Sequence, residues 1–151
     1  MRRDYYSLTI SEPDTSNQSP TIEITYEGPD EDLDSRLAPG NTDLGGDEID
    51  ITYRLQTEQT NAEEPDGVFA VTNRLTGEYI VEVNVSSDAI FEFVTTTEKT
   101  NRGGPAEAQY RLIIRVDDTI RLDETVSTLL VYDVDGRILK QHSLIPSGVE
   151  L

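Results

Sequence analysis

Apolar and polar residues alternate along much of the chain, and this pattern predicts β-strands. In residues 48–56 every second residue is apolar and the residues between them are polar. Such a strand buries one face and exposes the other, as strands of antiparallel sheets do. The same alternation begins again at Tyr6, Ile22 and Tyr110, with a shorter run at Ile120 and Leu122. Together with two hairpins, these segments predict a mainly β fold of about eight strands in antiparallel sheets.

The first hairpin follows from a choice of loop length in residues 68–83. A three-residue loop at 75–77 places Val71 opposite Val81, so the apolar residues of both strands share one face. It also places Arg74 opposite Glu78 and puts a glycine last in the loop, where a left-handed conformation is needed. We therefore predict this register.

The second hairpin lies in the closing stretch LLVYDVDGRILKQHSLIPSGVEL, residues 129–151. A loop at 134–136 pairs Asp133 with Arg137 and again ends in glycine. The same Asp-x-Asp-Gly sequence begins calcium loops of the EF-hand type. Such a loop needs a glutamate at its twelfth position, which is Leu144 when counting starts at Asp133. The stretch is therefore interpreted as a turn.

Helical signals are few. Residues 30–38 combine acids in the first turn with leucines four apart and a following Pro-Gly, which predicts a short helix. Residues 87–94 begin with capping residues and place Ile90 and Val94 on one face. The threonines at 95–97 are poor helix formers, so a strand is a serious alternative there. One or two short helices are compatible either with an α+β sheet or with a β-sandwich.

Length and composition indicate one domain. The 151 residues can bury a core without metals or disulfides, and the 35% of hydrophobic residues are patterned rather than scattered. Polar runs rich in Pro, Gly, Asn and acids at 11–20, 39–47, 57–67 and 101–107 are interpreted as loops, not domain linkers. We expect a single acidic β-rich domain over residues 1–151, with 143–151 as a possible docking tail.

Charge narrows the setting in which the protein works. Twelve basic and 30 acidic residues give a net charge of −18, and the acids are spread along the chain. Lys99 and Lys140 are the sole lysines. Dispersed acids with scarce lysine are typical of cytoplasmic proteins of salt-in halophiles, where molar salt screens charge within about 3 Å. Such a surface repels phosphates and anionic lipid, so neither nucleic acid nor membrane is expected as a partner.

The sequence offers no export signal and no thiol chemistry. Arg2 and Arg3 resemble a twin-arginine motif, but no apolar segment or cleavage site follows them. No stretch approaches the length of a membrane span. Cysteine is absent, which excludes disulfides, thiolate nucleophiles and thiolate metal sites. We expect a cytoplasmic protein.

Few residues suggest catalysis. His142 is the sole histidine, and it is interpreted either as a general base beside Ser143 or as a half-covered residue of the second hairpin strand, which is preferred. Acid clusters at 30–34, 63–66 and 117–124 suit calcium or magnesium, but so acidic a chain forms clusters by chance. No serine-nucleophile motif or phosphate-binding glycine loop occurs. No cofactor and no specific metal site is therefore expected.

Two features suggest a protein partner. Arg111 and Arg115 share a face of one predicted strand and Arg54 lies on the polar face of another. They would bind an acidic partner or an anion, or else pair with acids on neighbouring strands, which is the preferred interpretation. The second feature is the irregular tail, residues 143–151. It would be either an apolar docking segment for another chain or a strand that folds back along a sheet edge. Its apolar residues are Leu144, Ile145, Val149 and Leu151.

Tyrosines provide a weaker hint of a small-ligand cavity. The stripe positions Tyr26, Tyr53, Tyr79 and Tyr110 could line such a cavity. Tyrosines at alternating strand positions more often belong to a core, and that interpretation is preferred.

Three segments carry a resemblance to a known family. MRRDYYSLTI, NRLTGEYIVEVN and LLVYDVDGRILKQHSLIPSGVEL resemble a family of small haloarchaeal proteins that carry a domain of unknown function. The resemblance covers nearly the whole chain and implies neither an activity nor a catalytic residue. We expect a non-enzymatic interaction or accessory module. The alternative is a divalent-metal-dependent hydrolase that uses clustered carboxylates.

Overall fold

The computed structural model describes residues 6–11, 20–27, 45, 48–56, 66–100, 109–116 and 118–145. Eight strands and one α-helix lie within these ranges, together with a 3₁₀ turn at Lys140–His142. In chain order they are β1 Tyr6–Ser11, β2 Thr21–Tyr26, β3 Ile49–Leu55, β4 Gly67–Asn73, β5 Tyr79–Val85, α1 Ser87–Thr100, β6 Tyr110–Val116, β7 Thr119–Val126 and β8 Leu130–Tyr132.

The strands form two four-stranded sheets. Sheet A has the order β1-β2-β6-β7 and sheet B the order β5-β4-β3-β8. The mainly β prediction is confirmed, with the correction that both sheets are mixed rather than purely antiparallel, because β2 pairs with β6 and β3 with β8 in parallel. Alternation reveals which residues of a strand are buried. It does not reveal which strand lies beside it.

Both sheets and α1 contribute to one hydrophobic core. Alternate residues of each strand point into it, as the periodicity predicts. Among its completely or almost completely buried side chains are Ile22, Ile24, Ile51, Tyr53, Phe69, Val71, Ile90, Tyr110, Leu112 and Ile114. The edge-to-face contact of Phe93 in α1 with Tyr110 in β6, at 5.0 Å between ring centroids, joins the helix to sheet A.

The segment after β5 is a helix, which resolves the helix-or-strand alternative. Ser86 caps it, since its hydroxyl oxygen accepts a hydrogen bond from the Ala89 N–H at 3.4 Å. The helix continues past Val94 through the threonines. The hydroxyl of Thr97 is buried and donates to the carbonyl of Phe93 at 2.7 Å, so it needs no solvent partner.

The first hairpin confirms the predicted strand register but not the predicted turn pair. Val71 lies opposite Val81, and Gly77 has a positive φ of 75°. A β-bulge after Val71 shifts the remaining pairs, so the Asn73 N–H donates to the carbonyl of Glu78 at 2.8 Å. The expected pairing of Arg74 with Glu78 is wrong. Arg74 binds a carboxylate of β3 instead.

The second hairpin confirms the turn interpretation of the Asp-x-Asp-Gly sequence. The Asp133 N–H donates to the carbonyl of Arg137 at 2.8 Å, and Gly136 has a φ of 82°. One Asp133 carboxylate oxygen accepts the N–H groups of Asp135 and Arg137, each at 2.9 Å. The carboxylate is therefore engaged in holding the turn.

Some predicted elements differ from those observed, and one cannot be compared. The helix expected at 30–38 lies outside the described residues. The short strand expected at Ile120 and Leu122 is the eight-residue strand β7. His142, expected on a strand, belongs to the 3₁₀ turn, because the chain after Ile138 leaves the ladder. No helix in the described part of the chain is long and apolar enough to cross a lipid bilayer.

Candidate functional site

A groove of about 400 Å³ lies on the face of sheet B that points away from the core. Its volume is within the range of roughly 300–1,000 Å³ that is usual for ligand sites. All four strands of the sheet contribute to it. The sheet B groove is lined by Thr52, Arg54, Gln56, Val68, Ala70, Tyr79, Glu82, Tyr132 and Gly136.

The strand register explains why these residues share the groove. Thr52 and Arg54 are the polar positions of the clearest alternating run, so their side chains point away from the core. Across the ladder Arg54 lies opposite Val68, and Ala70 lies between Thr52 and Glu82. Val68 and Ala70 are 7% and 4% exposed although they face outward. They form an apolar floor between charged neighbours.

Arg54 carries the positive charge of the groove. Its side chain is exposed, and within the described residues it makes no hydrogen bond or ion pair. One guanidinium nitrogen lies 3.8 Å from the position that a Cβ on Gly136 would occupy, so the turn of the second hairpin borders the charge without covering it. No acceptor from the described residues therefore binds the guanidinium.

Two tyrosines stand at opposite corners of the groove. Tyr79 in β5 is 52% exposed, and Tyr132 in β8 is half-buried. Of the four tyrosines considered for a cavity, Tyr79 alone lines the groove, since Tyr26, Tyr53 and Tyr110 are buried in the core. Tyr132 was missed. The predicted hairpin register could have indicated it, because Val131 is a core position and its neighbour must point to the opposite face.

The other two predicted arginines lie on sheet A and have partners there. Arg111 donates through Nε to Asp123 at 2.6 Å and makes a second contact with the same carboxylate. Arg115 donates through Nε to Glu23 at 3.0 Å. The hydrogen bond with Asp123 raises the pKa of Arg111, and the same bond lowers the pKa of the Asp123 carboxyl. The three arginines thus do not form one surface.

Ile113 lies between these two ion pairs on the outer face of β6. Its direct cross-strand neighbours are Glu23 and Asp123, the two acids that bind the arginines. It is 6% exposed even though it points away from the core. Paired charges with apolar stems therefore cover this part of sheet A.

The first residues of the predicted tail belong to the fold. The Ser143 hydroxyl accepts the Val131 N–H at 2.9 Å and donates to the carbonyl of Leu139 at 2.8 Å. Leu144 is 1% exposed and exchanges two backbone hydrogen bonds with Leu129. Ile145 is half-buried. Val149 and Leu151 lie outside the described residues.

His142 packs against the helix. Its ring stacks on Phe91 of α1, with centroids 4.0 Å apart and an angle of 18° between the planes. The neighbouring Ser143 hydroxyl is occupied by backbone groups. Within the described residues no three acids or histidines are grouped so that they could hold a metal ion.

Asp66 is the buried polar group that the sequence reasoning missed, because 63–66 was interpreted as a solvated acid cluster. It is 4% exposed and accepts hydrogen bonds from Ser87 at the start of α1. The Tyr53 hydroxyl donates to the carbonyl of Val85 at 2.8 Å and lies 3.5 Å from Asp66. Burial and the nearby carboxylate raise the pKa of Tyr53 well above its usual value.

Comparison with known proteins identifies the family. The model of a family of unknown function, DUF5793, matches residues 1–151, so the chain belongs to this family. No curated protein matches the chain. No solved structure matches it.

Proposed function

We propose that this protein is a non-enzymatic interaction module of a halophilic cytoplasm that binds another protein in the sheet B groove. The observation that carries the proposal is that Arg54 has no ion pair among the described residues. In a chain of net charge −18, this guanidinium stands over an apolar floor without an acidic partner in the described residues.

Three other arginines of the described residues do form ion pairs, which gives a comparison for Arg54. Arg74, Arg111 and Arg115 each bind a carboxylate of a neighbouring strand, whereas the side chain of Arg137, at the exposed turn of the second hairpin, has no ion pair among the described residues, as is the case for Arg54. Acids are abundant enough to have supplied Arg54 with one as well. Arginine is also the side chain best suited to bind a carboxylate bidentately at an interface. We infer that the groove binds an acid supplied by a partner.

The groove has the composition of a protein interface rather than of a catalytic site. Aromatic residues and arginine are enriched at interfaces, and Tyr79, Tyr132 and Arg54 surround its apolar floor. The hydrolase alternative requires several carboxylates that converge. Among the residues that the structure describes, Glu82 is the one acid that lines the groove.

Burial also limits which residues of the predicted docking tail, 143–151, could bind a partner. Leu144 is a core residue, so a substitution there would affect binding through folding. The docking role is therefore assigned to Arg54 and its surroundings. The role of Ile145, Val149 and Leu151 in partner binding stays a separate prediction.

Proteins bound to the purified chain can be compared between variants in extracts kept at molar potassium chloride. Arg54→Gln removes the exposed charge of the groove, and Arg121→Gln removes an exposed arginine from β7 of the other sheet. We expect a stoichiometric partner with the wild type and with Arg121→Gln, and its loss with Arg54→Gln. Equal capture by both variants would place the interface elsewhere and contradict the proposal.

The halophilic setting is tested separately. Repulsion among the acids is screened in molar salt and grows as salt is removed. We expect the circular dichroism signal of the folded chain to be lost on dialysis into dilute buffer and regained on return to molar salt. A native spectrum in dilute buffer would contradict adaptation to high salt.

A further inference from the structure

The geometry points to a particular partner segment: an extended peptide with an acidic residue, a small apolar residue two positions later and a basic residue four positions after the acid. This inference rests on the proposed docking role of the groove and adds the chemistry of what binds there. It follows from the placement of Arg54, the Val68–Ala70 floor and Glu82.

The strand register sets the separation of the Cα atoms of the two charged residues. Arg54 lies beside Val68 on one side of β4, and Glu82 lies beside Ala70 on the other side. Adjacent strands are about 4.8 Å apart and two residues along a strand rise about 6.7 Å, which puts the Cα atoms of Arg54 and Glu82 roughly 12 Å apart. The apolar floor lies between them.

An extended peptide matches this separation. Side chains at positions i and i+4 of an extended chain are on the same face and about 13 Å apart, while position i+2 lies midway between them. The first and last of these side chains then meet Arg54 and Glu82, and the middle one meets Val68 and Ala70. A single amino acid or a comparably small zwitterion is too short to reach both charges.

Charge complementarity favours this occupant over others. Neither Arg54 nor Glu82 makes an ion pair within the described ranges, so a partner with both charges satisfies two groups at once. The acidic surface around the groove opposes a purely acidic ligand such as nucleic acid. Tyr79 and Tyr132 border the groove and would limit water access to the contacts.

A blocked pentapeptide with the sequence Asp-Ser-Val-Ser-Lys is the probe, titrated into the isotopically labelled full chain in molar potassium chloride. Backbone amide shifts measured by NMR report the site and the Kd. The matched control replaces Asp by Asn and Lys by Gln. A second control moves the charges to positions 1 and 3 while keeping the composition. We expect shifts confined to the groove strands, about a hundredfold weaker binding for the control without charges and about tenfold weaker binding for the control with one displaced charge, since each charge-assisted hydrogen bond contributes about tenfold.

Variants of the chain test how much the charges of Arg54 and Glu82 contribute to peptide binding, apart from the shape of the groove. Arg54→Gln and Glu82→Gln should each weaken binding of the charged peptide about tenfold and leave the neutral peptide unchanged. The double variant Arg54→Glu with Glu82→Arg should restore binding, because the peptide can lie in the opposite direction. Equal affinities for charged and neutral peptides, or failure of the double variant to restore binding while its amide spectrum stays native, would overturn the inference.

Failure of the peptide pattern is distinguishable from failure of the docking role. If the partner from extracts is lost with Arg54→Gln but the pentapeptide does not bind, the groove is an interface and the five-residue pattern is wrong. If neither the partner nor the peptide depends on Arg54, both proposals fall.

Discussion

Asp66 holds the first turn of α1 through Ser87: one carboxylate oxygen accepts the Ser87 N–H at 2.6 Å, and the other accepts the Ser87 hydroxyl at 2.7 Å. Both residues are buried, and the negative charge lies at the positive end of the helix dipole. The residue before β4 is thereby joined to the helix that follows β5. This link orders the end of sheet B at which β4 begins.

Replacing Asp66 by Ala should destabilise the fold substantially. The substitution leaves the N–H and hydroxyl of Ser87 buried without their acceptor, which costs about 2–4 kcal/mol in free energy of unfolding. Urea denaturation in molar salt measures this change. Asp135→Ala is the matched control, because Asp135 is exposed in the second hairpin, and we expect it to change stability by less than about 0.5 kcal/mol. Equal losses for the two variants would contradict a capping role.

Stability should fall steeply at alkaline pH. Burial raises the pKa of both Tyr53 and Tyr110 above the ordinary value, with a further contribution from Asp66 at Tyr53. In the unfolded chain these tyrosines lose their protons near pH 10, whereas the folded chain keeps them. Below pH 10 the effect is absent, and above it each group weakens folding by about 1.4 kcal/mol per pH unit.

Phenolate absorbance and circular dichroism recorded during the same titration test this expectation. Tyr53 and Tyr110 should ionise together with the loss of the folded signal. Ionisation of every tyrosine while the spectrum stays native would show that the two buried hydroxyls titrate freely.

Ile113 should matter far more for stability than its outward direction suggests. It is 6% exposed beneath the ion pairs of sheet A, while Ile120 on β7 is 45% exposed. We expect Ile113→Ala to cost about 2–4 kcal/mol and Ile120→Ala less than about 1 kcal/mol. Thermal unfolding of the two variants in molar salt gives the comparison. Similar melting temperatures would mean that the ion pairs do not shield Ile113.

The strand periodicity predicted much of this fold and little of its pairing. Alternation located the buried residues of β2, β3 and β6, and burial fixed the Val71–Val81 register. It did not predict that Ile113 is buried, because its neighbours Glu23 and Asp123 belong to strands distant in sequence. Asp66 was missed for the same reason, since its partner Ser87 lies across β4 and β5.

The candidate site was predicted only in part. The polar face of β3 located Arg54, and nothing in a single sequence distinguishes an arginine that has no ion pair among the described residues from the paired ones on β6. That difference is a property of neighbouring strands. The groove itself depends on the parallel pairing of β3 with β8, which brings Tyr132 beside Arg54.

Leu144 should behave as a core residue and not as part of a free tail. It is 1% exposed, whereas Leu75 at the tip of the first hairpin is 76% exposed. We expect Leu144→Ala to cost about 2–4 kcal/mol and Leu75→Ala to be nearly neutral. Urea denaturation distinguishes them. A neutral effect at Leu144 would return residues 143–145 to the set of candidate docking residues.

The two parallel strand pairs limit how early the chain can fold during its synthesis. Thr21 lies opposite Arg111 and Thr52 opposite Leu130, so each sheet joins an early strand to a late one. A nascent chain that ends near residue 100 lacks β6, β7 and β8, and proteolysis of such stalled chains should find it unprotected. The fold is therefore expected to form only once β6, β7 and β8 have been synthesised, and the edges of β2 and β3 that await β6 and β8 would be the surfaces that a chaperone encounters first.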